Sequence, residues 1–271
     1  MLGRVLARRS SARILLATLA VVLLVRLAAV PLSPGLAIVC AWLTLPLLAQ
    51  TLLVSTDPPR SHLTRWWLVS LVFLLVLDVS AAMLDGAPRL FAASLALALA
   101  GIAQVVALWG LRRQTAFVED RGWLWLYGIG LALLVFAATY RGGQFPGTLM
   151  VVPVVAAGLA VALASLFATA LGPRGTGGGV LGFLAVLVVL ISSSLGNEGP
   201  APTIGTVVLG FAGQALILLT ILRREEGALD ERHSLMVATH NWDGLTPDRV
   251  PHDATAPAGP APSPASPTSA L

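Results

Sequence analysis

Long apolar runs alternate with short polar segments along most of the chain. Each run is close to the roughly 20 residues that a helix needs to cross about 30 Å of hydrocarbon, and prolines in the intervening segments are typical of helix ends. No run alternates apolar and polar residues at period 2, so the pattern predicts helices rather than barrel strands. The predicted spans are residues 14–31, 35–54, 66–84, 90–111, 123–140, 149–171, 178–196 and 202–222.

These runs predict an all-α fold, a polytopic membrane bundle of about eight transmembrane helices. The composition agrees, because 56% of the residues are hydrophobic and 11% are charged, against about 25% charged in soluble domains. The chain divides into a basic segment at 1–13, a transmembrane domain at 14–224 and an Ala/Pro-rich tail at 225–271 that is predicted to be disordered. The run 14–31 also has features of a signal peptide, but its length and the presence of Arg26 favour a retained first span.

The arginines predict the orientation of the bundle. With the amino terminus inside, fourteen of the 17 basic residues fall on the inner side, only Arg89 and Arg141 fall outside, and Arg26 lies within the membrane. This asymmetry predicts that both termini are cytoplasmic, and we expect the plasma membrane as the location. Because the arginines are scattered along loop ends, they do not form a face for nucleic acid.

Three pairs of identical residues are each separated by 110 positions. This offset places spans three and four over spans seven and eight, which predicts a 4+4 parallel repeat, with chance identity as the alternative. The pairs are Phe73 and Phe183, Gln104 and Gln214, and Arg113 and Arg223.

Only Arg26 and Asp78 are ionisable residues deep within predicted spans. Asp78 stands about 12 residues into the third span, or about 18 Å at about 1.5 Å per residue, and Arg26 reaches a similar depth in the first. The two side chains are therefore expected to be able to meet. One interpretation is an ion pair that fixes two helices, and the other is a functional acid in a wet cavity beside a positive neighbour. A third is that Arg26 extends outward and leaves Asp78 alone.

The other polar residues are weaker candidates for a functional site than Arg26 and Asp78. Gln104 and Gln214 lie in mid-span, where they are expected to form hydrogen bonds between helices or to line a polar pocket. The single cysteine, Cys40, excludes a cysteine metal cluster. We predict no metal and no cofactor, because all four histidines lie outside the spans, at His62, His233, His240 and His252.

The span order and several local motifs resemble the YhhN-like lysoplasmalogenases, a family of eight-span membrane proteins that cleave the vinyl ether bond of lysoplasmalogens. The resemblance runs from about Leu45 to Leu222. It rests on TLPLLAQTLL around Pro46, on LVFLLVLDVSAAML around Phe73 and Asp78, on GIAQVVALWG around Gln104, on GGVLGFLAVLVVLISSS, and on LGFAGQALILLTIL around Gln214.

The chain departs from the family pattern at several positions. The second family aspartate aligns with Leu187 or one residue either way, and no acid occurs nearby before Glu198. Apolar or small residues replace other family side chains: Leu45 replaces a lysine, Leu74 and Leu77 replace serine and glycine, and Ala107 and Gly210 replace tyrosines.

The resemblance implies a hydrolase that converts a lysoplasmalogen-type lysophospholipid to a fatty aldehyde and a glycerophospho head group. Asp78 is then the catalytic acid, and Pro46, Gln104, Gln214 and Arg26 are the expected substrate contacts. Two alternatives remain: a lipid-binding or structural protein that has lost the chemistry, and a small-solute transporter that uses Asp78. A helix broken near mid-membrane at Asp78 would favour transport, and a lipid-sized pocket ending there would favour the hydrolase or its binding remnant.

Overall fold

A computed structural model of the chain describes residues 2–56, 60–114, 122–140, 151–195 and 199–243. These residues form eight α-helices, and no strand occurs among them. The helices are α1 (Leu2–Leu32), α2 (Pro34–Ser55), α3 (His62–Met83), α4 (Gly86–Leu108), α5 (Gly122–Tyr140), α6 (Val151–Ala168), α7 (Pro173–Leu195) and α8 (Pro200–Asp243).

Within the described residues, seven helices contain segments long and apolar enough to cross a membrane, and α5 contains a shorter apolar segment, Leu124–Thr139. Each predicted span coincides with one helix, so the polytopic helical bundle is confirmed. The unit that holds the spans is Met1–Gly227, and a second unit covers Ala228–Leu271.

Several helix boundaries differ from those predicted: α1 begins at Leu2 rather than at 14, α4 at Gly86 rather than at 90, and α7 at Pro173 rather than at 178. Helix α3 begins at His62 rather than at 66, because Ser61 adopts an extended backbone and its Oγ accepts a 3.2 Å hydrogen bond from the amide of Thr64. Helix α8 continues to Asp243, so the predicted start of the tail at 225 lies inside a helix. Glu, Ala, Leu and Arg favour helix in this stretch, and Gly244 follows its end. The remainder of the tail, 244–271, lies outside the described residues.

Very short links make antiparallel pairs of neighbouring helices. A single residue, Ser33, separates α1 from α2. Between α6 and α7 the chain forms a 3₁₀ turn, Thr169–Leu171, and then Gly172, whose φ of +86° lies in the left-handed region that favours glycine. Pro173 then starts α7, in the first-turn position where its missing N–H costs nothing.

Small residues let several helices approach closely. This is expected in a membrane, where the hydrophobic effect does not drive helices together and close packing matters more. A Cβ atom added to Gly101 of α4 would lie 2.8 Å from the backbone of Ala160 in α6. One added to Gly213 of α8 would lie 2.7 Å from the carbonyl oxygen of Gly178 and 2.8 Å from the amide of Gly182, both in α7. These contacts fix how α7 and α8 turn their side chains toward the bundle interior.

The start of α3 is tied to α8 by a polar contact. The carboxylate of Glu225 accepts hydrogen bonds from Ser61 Oγ and, at 2.8 Å, from Thr64 Oγ1. Residues 60 to 65 and residue 225 therefore lie at the same end of the bundle, where Arg60, Arg65 and Arg223 also lie. This grouping agrees with the arginine-rich side predicted from the sequence.

Candidate functional site

The two intramembrane charges form an ion pair between α1 and α3. Arg26 Nη2 lies 3.5 Å from Asp78 Oδ1, and the two side chains are 16% and 22% exposed. The expectation that these residues meet is thus confirmed. The distance is longer than the roughly 2.7–2.9 Å of a strong charge-assisted hydrogen bond, so the pair is a loose one.

The pair lies toward one end of the bundle. At about 1.5 Å per residue, Arg26 is about 9 Å from the Leu32 end of α1 and Asp78 is about 8 Å from the Met83 end of α3. The site therefore lies close to the level at which these helices end.

Arg26 and Asp78 line a cavity of about 150 Å³ that is partly open to the exterior of the bundle. Side chains from α1, α2, α3, α4, α7 and α8 surround it, and most of them are aliphatic. The polar members besides the ion pair are Thr44, Thr206 and Gln214. The cavity is thus a largely aliphatic chamber that contains one ion pair, which is the character of a site for an amphiphile.

Gln214 connects this cavity to a smaller void of about 40 Å³, because it lines both. Its Oε1 atom is buried and has no hydrogen-bond partner in the part of the chain that the structure describes, and the same is true there of Thr206 Oγ1. A buried polar atom without a partner costs free energy, so these two atoms are acceptors suited to a ligand or to water.

Gln104 is placed differently from Gln214. It lines the smaller void together with Ser165, and its Nε2 donates a 2.9 Å hydrogen bond to Ser70 Oγ of α3. Ser165 in turn accepts a 3.1 Å hydrogen bond from the hydroxyl of Tyr127. Gln104 therefore joins two helices and does not reach the main cavity.

Three of the residues expected at the site come together at the main cavity, namely Arg26, Asp78 and Gln214. Pro46 does not line it and lies half-buried within α2, between lining residues of the same helix. The cavity is also lined by Thr44, Thr206 and Gly182, which were not predicted from the sequence. A single threonine or glycine in an apolar run does not indicate a cavity. A threonine there can donate a hydrogen bond to its own helix, as Thr44 Oγ1 does to the carbonyl of Cys40 at 2.7 Å.

Four of the positions that depart from the lysoplasmalogenase pattern line the main cavity: Leu45, Leu74, Leu77 and Gly210. The cavity is consequently more apolar than the family pattern implies. At the position of the second aspartate, Leu187 is 8% exposed and packs in a hydrophobic cluster, whereas the preceding residue, Val186, lines both voids. Asp78 is the only carboxylate among the described residues that line the cavity.

The described residues include no group of three or more His, Cys, Asp or Glu side chains that could hold a metal ion. Comparisons of the chain with models of known protein families, with curated proteins and with solved structures find no match. The activity of this protein is therefore inferred from the residues of the cavity.

Proposed function

We propose that this protein is a multi-pass membrane hydrolase of lysoplasmalogenase type, which binds a single-chain lysophospholipid in the main cavity and cleaves its vinyl ether bond at Asp78. One observation carries the proposal: a largely aliphatic cavity places the carboxylate of Asp78, the guanidinium of Arg26 and the free acceptor of Gln214 together. The resemblance of the motifs around Asp78 and Gln214 to that family supplies the reaction.

The cavity of about 150 Å³ suits the part of a single-chain lipid around its ether bond, and the rest of the chain would extend through the open side of the cavity. Its aliphatic lining offers contact to methylene groups, and its charged pair lies about 8 to 9 Å from the helix ends, near the level expected for a glycerol head group. An alkyl chain in the aliphatic part would leave the ether oxygen beside the polar residues. That arrangement brings the scissile bond within the region of Asp78.

The chemistry needs one proton donor and one water molecule. Protonation of the β-carbon of the vinyl ether by Asp78 gives an oxocarbenium-like cation, which the resulting carboxylate stabilises. Water then adds to the carbon that bears the oxygen and returns its proton to Asp78. The hemiacetal collapses to a fatty aldehyde and the hydroxyl of the glycerophospho head group.

Gln214 fits the task of positioning the water. Its Oε1 is an acceptor without a partner in the described structure, so a water molecule in the cavity can donate a hydrogen bond to it. Gln214 carries no charge and cannot stabilise the cation as a second carboxylate would. The proposed reaction therefore uses Asp78 in turn as acid and as base.

A lipid-binding protein without hydrolytic activity is the second candidate. The observation that favours it is the apolar character of the cavity wall, where Leu45, Leu74, Leu77 and Gly210 stand in place of the lysine, serine, glycine and tyrosine of the family pattern. A transporter is less favoured, because α2, α3, α7 and α8 pass the cavity as continuous helices. Discontinuous helices are typical of midplane transport sites.

We further propose that the protein lies in the plasma membrane with both termini in the cytoplasm. The support is the arginine distribution, which groups Arg60, Arg65 and Arg223 at one end of the bundle. The ion pair and the cavity lie toward the opposite end. In this orientation, the lipid would come from the outer leaflet.

The test is aldehyde release from a lysoplasmalogen by purified protein in maltoside detergent. Wild-type protein should release aldehyde, and Asp78→Asn, which is nearly isosteric, should reduce the rate by at least about 100-fold. Asp85→Asn is the matched control, because Asp85 is an exposed acid that does not line the cavity. Its rate should equal that of the wild type.

A second variant tests the cavity itself. A side chain added at Gly182 would enter open space, because an added Cβ atom there meets no atom within 4 Å. Gly182→Leu should therefore fill part of the cavity, leave the melting temperature nearly unchanged and lower lipid binding. Lipid binding by wild-type protein with no aldehyde release would overturn the hydrolase in favour of the binding protein, and no binding at all would overturn both.

A further inference from the structure

The guanidinium of Arg26 has hydrogen-bonding capacity that Asp78 does not use. A guanidinium carries five N–H donors in a planar fork, and the ion pair shows a single approach of 3.5 Å to Asp78 Oδ1. Arg26 is also partly accessible from the cavity that it lines. An anion that enters the cavity can therefore reach Arg26 without any change in the helices.

We propose that the phosphate of a single-chain amphiphile replaces Asp78 as the partner of Arg26, and that this exchange releases the Asp78 carboxyl group for its role in the site. The inference rests on the proposed function, because it concerns the same cavity and names the group that the cavity selects. Phosphate matches the guanidinium fork with two parallel hydrogen bonds, which a long single contact to a carboxylate does not provide.

The exchange resolves a conflict within the site. An ion pair with a guanidinium favours the charged form of a carboxylate, which opposes proton donation. Once phosphate binds Arg26, Asp78 is left in a largely aliphatic cavity without its counter-ion, where an isolated charge is costly, and it takes up one proton from the bulk solvent. The carboxyl group is then neutral and next to the bound lipid. Lipids without an anionic group do not release Asp78.

Asp78 thus competes with an incoming phosphate for the guanidinium of Arg26. The apparent affinity of a ligand falls by the fraction of molecules in which its site is free. Removing the competitor should therefore strengthen phosphate binding, although it removes the acid of the proposed reaction. A purely catalytic or purely structural Asp78 would not have this effect.

The experiment measures binding by isothermal titration in a neutral maltoside detergent. The probes are an n-alkyl phosphate, the n-alkyl glycerol ether of the same chain length and inorganic phosphate, none of which contains a vinyl ether. Wild-type protein should bind the alkyl phosphate at least tenfold more tightly than the neutral ether. Inorganic phosphate should bind more weakly than the alkyl phosphate, because it lacks the chain.

Two variants decide the proposal. Asp78→Asn should bind the alkyl phosphate about tenfold more tightly than wild type and the neutral ether with unchanged affinity. The double variant Arg26→Gln with Asp78→Asn carries no charge in the cavity, so it should fold and bind the two amphiphiles equally. Unchanged or weaker phosphate binding by Asp78→Asn would overturn the exchange, as would a preference for phosphate in the double variant.

These outcomes are separate from the test of hydrolysis. Phosphate binding as described without aldehyde release from lysoplasmalogen would sustain the exchange and overturn the hydrolase. Equal binding of the phosphate and the neutral ether by wild-type protein, together with aldehyde release, would overturn the exchange and sustain the hydrolase. Tight binding of inorganic phosphate, equal to that of the alkyl phosphate, would identify a free-phosphate site and overturn the lipid as ligand.

Discussion

Gln104 Nε2 donates a 2.9 Å hydrogen bond to Ser70 Oγ and thereby joins α4 to α3. The position 110 residues after Ser70 is Val180, which has no hydroxyl group to offer Gln214. Gln214 Oε1 has no partner in the described structure, and Gln214 lines the main cavity. Two glutamines that the predicted repeat places in equivalent positions thus differ in their surroundings.

This difference predicts opposite effects of the same substitution. Gln104→Leu should destabilise the protein by about 1 kcal/mol, the typical size of an interhelical hydrogen bond in a membrane. Gln214→Leu should leave stability unchanged or raise it slightly, since it removes an unsatisfied acceptor, but should slow aldehyde release. Thermal melting and turnover of both variants check the prediction, and equal losses of melting temperature would contradict it.

The ion pair predicts an asymmetric response to the loss of either charge. Arg26→Met should lower stability more than Asp78→Asn, by up to about 2 kcal/mol, because it leaves the Asp78 carboxylate in a largely aliphatic cavity without its counter-ion. In Asp78→Asn, the long side chain of Arg26 can extend toward the Leu32 end of α1, about 9 Å away. Combining the two substitutions should restore much of the melting temperature lost in Arg26→Met. Additive losses in the double variant would show that the pair does not couple the helices.

The contact of α7 with α8 predicts that Gly213 is required for the stability of the bundle, whereas Gly205 in the same helix is not. Gly213→Ala should destabilise the bundle by about 1–3 kcal/mol, because its Cβ would lie 2.7 Å from the carbonyl oxygen of Gly178. Gly205→Ala is the control, since an added Cβ there meets no atom within 4 Å and alanine favours helix by up to about 1 kcal/mol. Melting temperatures should shift in opposite directions, and a shift in the same direction would argue against this packing.

The missing second carboxylate predicts a gain of function at Val186. This residue lines the main cavity with Asp78 and precedes Leu187, the position that aligns with the second family aspartate. Val186→Asp should raise the rate of aldehyde release at least about tenfold, since a second carboxylate stabilises the cation while Asp78 remains the acid. Val186→Asn has the same shape without the charge and should give no gain. A folded Val186→Asp protein with an unchanged rate would contradict the two-carboxylate argument.

Hydropathy and length along the chain by themselves determined much of this protein. They located all eight helices, because burial of an apolar run of about 20 residues in lipid depends on the run itself and not on its neighbours. They also identified Arg26 and Asp78 as the unusual residues, since charge within a span is costly wherever the span packs. Their similar depth followed from the helical rise alone.

Only the tertiary structure decided which side chains face the cavity. Helices that are apolar around their whole circumference carry little information about which face turns inward, so Gln104 and Gln214 could not be distinguished, and Pro46 could not be excluded from the cavity wall. The rotation of α7 and α8 is instead fixed by close contacts of Gly213 with Gly178 and Gly182, which lie in a different helix. Helix ends also depended on context, because Ser61 both caps α3 and contacts Glu225 of α8. The sequence thus specified the helices and the charges, whereas contacts between distant small residues set the cavity that brings the charges together.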